Sequence, residues 1–182
     1  QNLSFEELTR FLEAISRANK KILAISRFAT KANFNTTGEI LEADIVEYMI
    51  QYVSGILPEF YHDLKFHCEG GHNGYILKFK PLEISLLLDN LVSNSIKAKA
   101  HNFNINFEIK DSLLLITIYD DGAGLSVTIQ NPDSIFEKGI TTTSGSGLGL
   151  YNVHHLITKE MGGKIVIIPE SFGFKLQITL HK

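Results

Sequence analysis

Between Asp120 and Leu150 the chain carries two glycine clusters separated by a polar segment, and this run limits the available folds more than any other stretch. It opens with Tyr119-Asp120-Asp121-Gly122-Ala123-Gly124-Leu125, directly after the apolar run Leu113 to Ile118. It closes with Gly145-Ser146-Gly147-Leu148-Gly149-Leu150, directly before a helical pattern. A strand ending in an acidic residue and two glycines offers a carboxylate acceptor at the lip of a pocket, and a backbone that can approach a planar ligand closely. A glycine cluster opening a helix offers unpaired N–H groups and the positive end of a dipole, which suits phosphate. One end is suited to a base, the other to its phosphates.

Spacing excludes two commoner nucleotide motifs. The second cluster reads Gly-x-Gly-x-Gly rather than Gly-x-Gly-x-x-Gly, and the polar stretch Thr141 to Ser144 precedes it where a dinucleotide fold has a strand. No Lys-Ser or Lys-Thr follows a glycine at the interval of a P-loop. Alone, each cluster also fits a plain hairpin turn or helix cap, so the surrounding chain has to supply the remaining chemistry.

At 182 residues and 44% hydrophobic, the sequence suffices for one domain with a substantial core and a helical appendage. Net charge is −3 with both signs scattered, which argues against nucleic acid as partner and against contact with an anionic membrane. No apolar stretch approaches the roughly 20 residues of a bilayer span, so this portion is expected to be soluble and cytoplasmic, whether or not its parent is membrane-associated. The single cysteine, Cys68, leaves no internal disulfide and no cysteine-rich zinc site.

Ser4 and Glu7 have the form of a capping box ahead of a long helix. Leu8, Phe11, Ile15, Ala18, Ile22, Ile25, Ala29 and Ala32 then alternate at three and four residues, a seam that suits a partner helix. Residues 1–35 are read as this helix and 36–182 as the main domain. Thr36 to Glu39 forms a turn, Ile40 to Ala43 a short strand, and Asp44 with Glu47 a second capping box before a helix ending near Pro58. Leu64 to Glu69 alternates as a half-buried strand, and Tyr75 to Phe79 is expected to pair back with it as a hairpin. Pro81 starts another helix, on which Asn90 and Asn94 share a face and Lys97 lies three residues further on. Asparagines set among Leu86, Leu87, Leu88, Leu91 and Val92 read as ligands, since a buried amide needs several partners. Strands follow at Phe103 to Ile109 and Leu113 to Tyr119, a cap or turn at Asn131 to Asp133, and a threonine-rich loop of lid type at Glu137 to Ser146. A helix from Leu148 to Met161 and a hairpin from Lys164 to Leu180 complete the chain.

An asparagine-bearing helix, Asp-x-Gly-x-Gly after a strand, Phe136 before a lid, and Gly-x-Gly-x-Gly opening a helix follow one another in this order. In this the chain resembles the gyrase, Hsp90, histidine kinase and MutL superfamily of ATP-binding domains, the Bergerat fold, over residues 36 to 182. Asn90-Leu91-Val92-Ser93-Asn94-Ser95-Ile96-Lys97 and Gly147-Leu148-Gly149-Leu150-Tyr151-Asn152-Val153 look most like sensor histidine kinases. The resemblance implies an α/β fold, a two-layer sandwich of a mixed sheet with helices over one face, preceded here by the long helix. It further implies that Asn94 ligates Mg²⁺, which takes its other ligands mainly from phosphates and water. Asp120 would accept from the adenine amino group, Gly122 and Gly124 would let the loop close on the base, and Asn90 and Lys97 would face the phosphates. Phe136 would anchor the lid, with Lys138 or a threonine such as Thr142 reaching the γ-phosphate. Gly145, Ser146, Gly147, Leu148 and Gly149 would line the triphosphate.

Gyrase-like and MutL-like members carry a glutamate base four residues before the metal asparagine, and here that position is Asn90. Asp89 is turned about 100° away by helix geometry. A neutral imidazole acceptor needs no such base, so Asn90 favours phosphotransfer to histidine over hydrolysis. The helix from Phe5 to Asn33 has no histidine, His62-Asp63-Leu64-Lys65 is followed by Phe66 where an acceptor box has proline, and His154 and His155 read as structural. The acceptor is therefore expected outside the chain. The reading is the Mg-ATP-binding catalytic part of a two-component sensor histidine kinase, with a response regulator and a second copy, through the first helix, as candidate partners. The alternatives are an ATP-gated switch of Hsp90 or MutL type, a non-catalytic ATP-binding module, and an anti-sigma type serine kinase.

Overall fold

The computed structural model describes residues 4–31, 40–71, 73–125, 129, 131–140 and 147–182. These fall into two compact units, Gln1–Glu39 and Ile40–Lys182. The expected turn at Thr36 to Glu39 and the last seam position, Ala32, lie outside the described residues.

The first unit is one helix, α1, Phe5–Lys31. Its start is the reciprocal box read from the sequence: the Glu7 N–H donates to Ser4 Oγ at 3.2 Å, and the Ser4 N–H donates to the Glu7 carboxylate at 2.8 Å. That pairing satisfies two of the donors a helix leaves open at its first turn. Leu8, Phe11, Ile15 and Ile22 of the seam stand 43–64% exposed.

The second unit begins with β1, Leu41–Asp44, which leads into α2, Ile45–Gln51. Asp44 caps α2, accepting from the N–H groups of Val46 and Glu47 and also from that of Tyr75. The second capping box is thus only half made, since the Glu47 carboxylate takes the Gln51 side-chain amide at 2.7 Å instead of reaching back. Beyond α2 the coil widens over Tyr52–Ile56 and tightens over Leu57–Glu59, where Pro58 ends it.

Two strands follow, β2 at Lys65–Gly70 and β3 at Ile76–Phe79. The expectation that they form a hairpin is wrong. β3 pairs antiparallel with β1, and β2 pairs in parallel with the later β4, Asn102–Lys110. Gly70, Gly71 and Gly74, all at positive φ, turn the chain between the two sheets instead of folding it back on itself. The main sheet is completed by β5 (Leu113–Asp120), β6 (Lys164–Ile167) and β7 (Phe174–His181) in the order β2-β4-β5-β7-β6, and every pair except β2 with β4 is antiparallel. The terminal hairpin β6–β7 forms as expected.

One face of this sheet is the core. Ile105, Ile118 and Leu176 lie in one cross-strand row, and Phe107, Ile116 and Ile178 in the next; each is at most 3% exposed. Against them pack α2, α3 (Pro81–Lys97) and α4 (Gly149–His155) through Ile45, Met49, Leu88, Leu91, Val92 and Val153, all buried. Pro81 stands in the first turn of α3, where its missing N–H costs nothing. The result is a mixed sheet with helices on one face, as the resemblance implied.

Candidate functional site

Alternation along β5 sends Leu114, Ile116 and Ile118 into the core, and Asp120 is the next position on that same side. A carboxylate at a core-facing position, here 8% exposed, is costly unless its oxygens are hydrogen-bonded. Both are. The Gly122 N–H donates to Oδ1 at 2.9 Å, and the Ser95 hydroxyl on α3 donates to Oδ2 at 2.6 Å. A carboxylate offers about four lone-pair sites, so acceptor capacity remains for a ligand N–H. The sequence reading passed over Ser95, although a signal existed: it extends the buried stripe Ile84, Leu88, Leu91 with a polar residue.

Asp121 points the other way and holds the strand start of β4. It accepts from the N–H groups of His101 (2.7 Å) and Asn102 (2.8 Å) and from the Asn102 side-chain amide (2.6 Å). Partial burial works to raise this carboxyl, but the Asn102 and His101 donors outweigh it and hold it down at about 2.

The turn after β5 is drawn tight. A methyl group on Gly122 would sit 2.8 Å from the Ala98 side chain and 2.9 Å from its carbonyl oxygen. The Ala123 N–H donates to that same carbonyl at 2.9 Å, tying the loop to the end of α3. Gly124 has φ 72°, and a side chain there would come within 2.5 Å of the Gly173 carbonyl oxygen. Gly173, likewise absent from the sequence reading, packs its own backbone on the carbonyl of Asp120.

Asn90 and Asn94 are both half-buried on α3, and Lys97 is exposed in its last turn. The second glycine cluster meets this helix directly: a side chain at Gly149 would press within 3.3 Å of the Asn90 amide oxygen. Helix α3 thus meets the start of α4 at Asn90 and the end of β5 through the Ser95–Asp120 bond. Asp89, the neighbouring carboxylate, accepts from the Tyr52 hydroxyl at 3.2 Å. Burial pushes that phenol well above its ordinary range, which keeps it a donor.

Asn131 caps the short turn Pro132–Phe136, accepting from the Asp133 N–H at 3.1 Å. At its end the buried Phe136 packs on the His154 ring of α4, centroids 4.9 Å apart. Lys138 is exposed, and the Gly139 N–H donates to the Gly147 carbonyl at 3.2 Å. Gly147 (φ 66°) can make this approach only without a side chain, which would meet Gly139 at 2.5 Å. This bond joins Gly139 to Gly147. Thr142, Gly145 and Ser146 lie outside the described residues, and Leu148 is 37% exposed.

Among the histidines, His62 is exposed in a turn, His154 is taken up by Phe136, and His155 Nδ1 lies 3.5 Å from a Glu160 carboxylate oxygen. Among the described residues no group of three His, Cys, Asp or Glu could hold a metal ion. The half-buried Asn94 amide fits Mg²⁺ in the manner of a cation that keeps most of its shell as phosphate oxygens and water. The buried Asp120 carboxylate, with acceptor capacity left on its oxygens, fits the N–H edge of a purine, and the absence of side chains at Gly122 and Gly149 lets the turn and the start of α4 close on Ala98 and Asn90. No helix among the described residues is long and apolar enough to cross a membrane.

Comparison with known proteins adds the following. Residues 79–182 match the family model described as histidine kinase-, DNA gyrase B-, and HSP90-like ATPase. The chain is 32% identical over 112 residues to the histidine protein kinase SaeS of Staphylococcus aureus (strain USA300), covering 56% of this chain and 31% of that protein. It spans less than a third of the length of the curated relatives it matches. In fold it is similar to the catalytic domain of histidine kinase ThkA, with TM-score 0.67 and 23% identity over 79% of this chain and 96% of that one. It is also similar to ThkA solved in complex with the response regulator protein TrrA, with TM-score 0.64 and 19% identity over 100% of this chain and 53% of that one.

Proposed function

This chain belongs to the family of histidine kinase-, DNA gyrase B- and HSP90-like ATPases, and from that membership we propose that it is the catalytic, Mg-ATP-binding part of a two-component sensor histidine kinase. The observation that carries the reading is the Asp120 carboxylate, buried at the end of β5 and oriented by donors from α3 and from its own loop. It accepts the adenine amino group, which guanine cannot offer at that position. Gly122 and Gly124 let the loop after β5 close on Ala98 and Gly173 beside the base, and Asn90 with the backbone at Gly149 borders the phosphates. Asn94 would hold Mg²⁺, which when bound would supply charge neutralisation on the phosphates. Lys97 and the N–H groups at Gly147, Leu148 and Gly149 stabilise the same charge, with Thr142, Gly145 and Ser146 as further contacts to the triphosphate.

Two features favour transfer to histidine over hydrolysis. The position of the usual water-activating glutamate is Asn90, and Asp89 is engaged by Tyr52. The acceptor imidazole lies outside this chain, α1 is the helix of a dimerisation hairpin shared with a second copy, and a response regulator takes the phosphoryl group onward. The site of action is cytoplasmic.

The test is to incubate the chain with γ-labelled Mg-ATP, alone and with a histidine-bearing segment of its longer parent, using Asn94→Ala as control. Acid-labile, base-stable label on the added segment, lost in the control, is the expected result. Free phosphate released at comparable rate and lost in the control would transfer the reading to the switch-type ATPases. Failure to bind ATP at all would overturn it.

A further inference from the structure

We propose that Ser95 is the positioning residue that makes this site select adenine, by fixing the orientation of the Asp120 carboxylate; the inference rests on the nucleotide reading given above. Ser95 is 2% exposed and sits on the core-facing stripe of α3, where an alanine would pack as well and promote helix better. Its hydroxyl therefore needs a reason. The hydroxyl has one proton and two acceptors in reach, the Leu91 carbonyl at 3.2 Å and Asp120 Oδ2 at 2.6 Å. The shorter contact, to a carboxylate, takes the proton, because charge-assisted bonds are both shorter and stronger than bonds to a neutral carbonyl.

The consequence for Asp120 is orientational. Gly122 donates to Oδ1 and Ser95 to Oδ2, so the carboxylate plane is set by two donors from different elements. Each oxygen keeps a lone pair directed out of these bonds, and a carboxylate held this way is acceptor only. A base edge that brings an N–H gains a charge-assisted bond, and one that brings a carbonyl oxygen meets like partial charge. Without the hydroxyl, the carboxylate is held from one side only. The torsion of an aspartate carboxylate is broad and two-fold, so it then turns to follow water or the Gly122 N–H. Selectivity for the amino group would fall with the preorganisation, while contacts to ribose and phosphate would be unaffected.

The experiment compares Mg-ADP with the Mg-bound purine analogue that lacks the amino group, by titration calorimetry, for the wild type, Ser95→Ala and Ser95→Thr. In Ser95→Ala the expected loss of ADP affinity is about three- to ten-fold, the scale of one hydrogen bond, with analogue affinity unchanged, so the preference for the amino group shrinks by that factor. Ser95→Thr, which restores the hydroxyl, restores the preference. A Ser95→Ala protein that keeps the wild-type ratio overturns the inference, including the case in which both affinities fall together, which is the signature of a merely structural residue. Wild type that binds neither nucleotide instead overturns the nucleotide reading itself, and this inference with it. A thermal melt of each variant without nucleotide confirms that folded proteins are being compared.

Discussion

Asp121 grips Asn102 at both ends: one carboxylate oxygen takes its backbone N–H at 2.8 Å, and the other takes its side-chain amide at 2.6 Å. With His101 also donating, this single side chain clamps the loop after β5 to the first residue of β4. Its low carboxyl pKa, about 2, makes the clamp a pH-dependent source of stability. The folded value is depressed below the unfolded one of about 3.9. The contribution is therefore complete above the unfolded value and is lost as pH falls from about 4 toward about 2. Asp121→Asn cannot offer two acceptor oxygens, so at neutral pH it should be less stable by about 1 to 2 kcal/mol. Urea melts between pH 2 and pH 6 check this: the gap between wild type and variant should close at the acid end, and a constant gap would count against the clamp.

Asp120→Ala removes the buried acceptor and leaves the Ser95 hydroxyl and the Gly122 N–H without their partner. Loss of a hydrogen bond to a charged group should lower ATP affinity by about ten- to a hundred-fold. Equilibrium binding of a fluorescent ATP analogue, competed with ATP, reads the change. Unaltered affinity would mean that the base lies elsewhere.

Asn94→Ala distinguishes a metal ligand from a general binding residue. In the wild type, Mg²⁺ should tighten ATP binding, and in the variant that gain should largely vanish while binding in chelator stays the same. Titrations with and without Mg²⁺ give the four affinities required. An equal loss in both conditions would assign Asn94 to the nucleotide and not to the ion.

Gly124 combines a positive φ of 72° with a carbonyl oxygen that would lie 2.5 Å from any side chain. Gly124→Ala should therefore cost about 1 to 3 kcal/mol, the scale of a strained backbone position. Chemical denaturation of the variant measures it directly, and a change of a few tenths would show that the turn relaxes.

The α1 seam places Phe11 and Ile15 at 59% and 43% exposure. If a second copy covers it, Phe11→Glu with Ile15→Glu should shift the chain from dimer to monomer in sedimentation velocity at micromolar concentration. A wild type that is already monomeric there would remove the proposed helix pairing from this chain.

Legibility followed the range of the interaction. The Ser4–Glu7 cap, the first turn at Pro81, the strand read at Phe103 to Ile109 and the hairpin read at Lys164 to Leu180 depend on neighbours near in the chain, and each was readable. The pairing of β2 and β3 was not. Alternation shows that a segment is half-buried, but β2 finds its partner in β4 and β3 finds its partner in β1, choices made by the whole sheet. Asp120 and the glycines stood out because acidic and glycine residues beside a core strand are chemically conspicuous. Ser95 and Gly173 did not, since a serine on a helix and a glycine in a hairpin become informative only beside Asp120.

From sequence alone came the alternation of strands and helices, the acidic glycine turn and the asparagine face, all consequences of periodicity and side-chain chemistry, while the significance of Asn90 came from the resemblance to gyrase-like and MutL-like members. Only the tertiary structure decided that Asp120 faces inward against α3, that Asn90 meets Gly149, and that Asp89 is taken by Tyr52. The physical reason is that a buried polar group must find its partners across the fold, and those partners are brought within hydrogen-bond reach by the packing of the helices on the sheet.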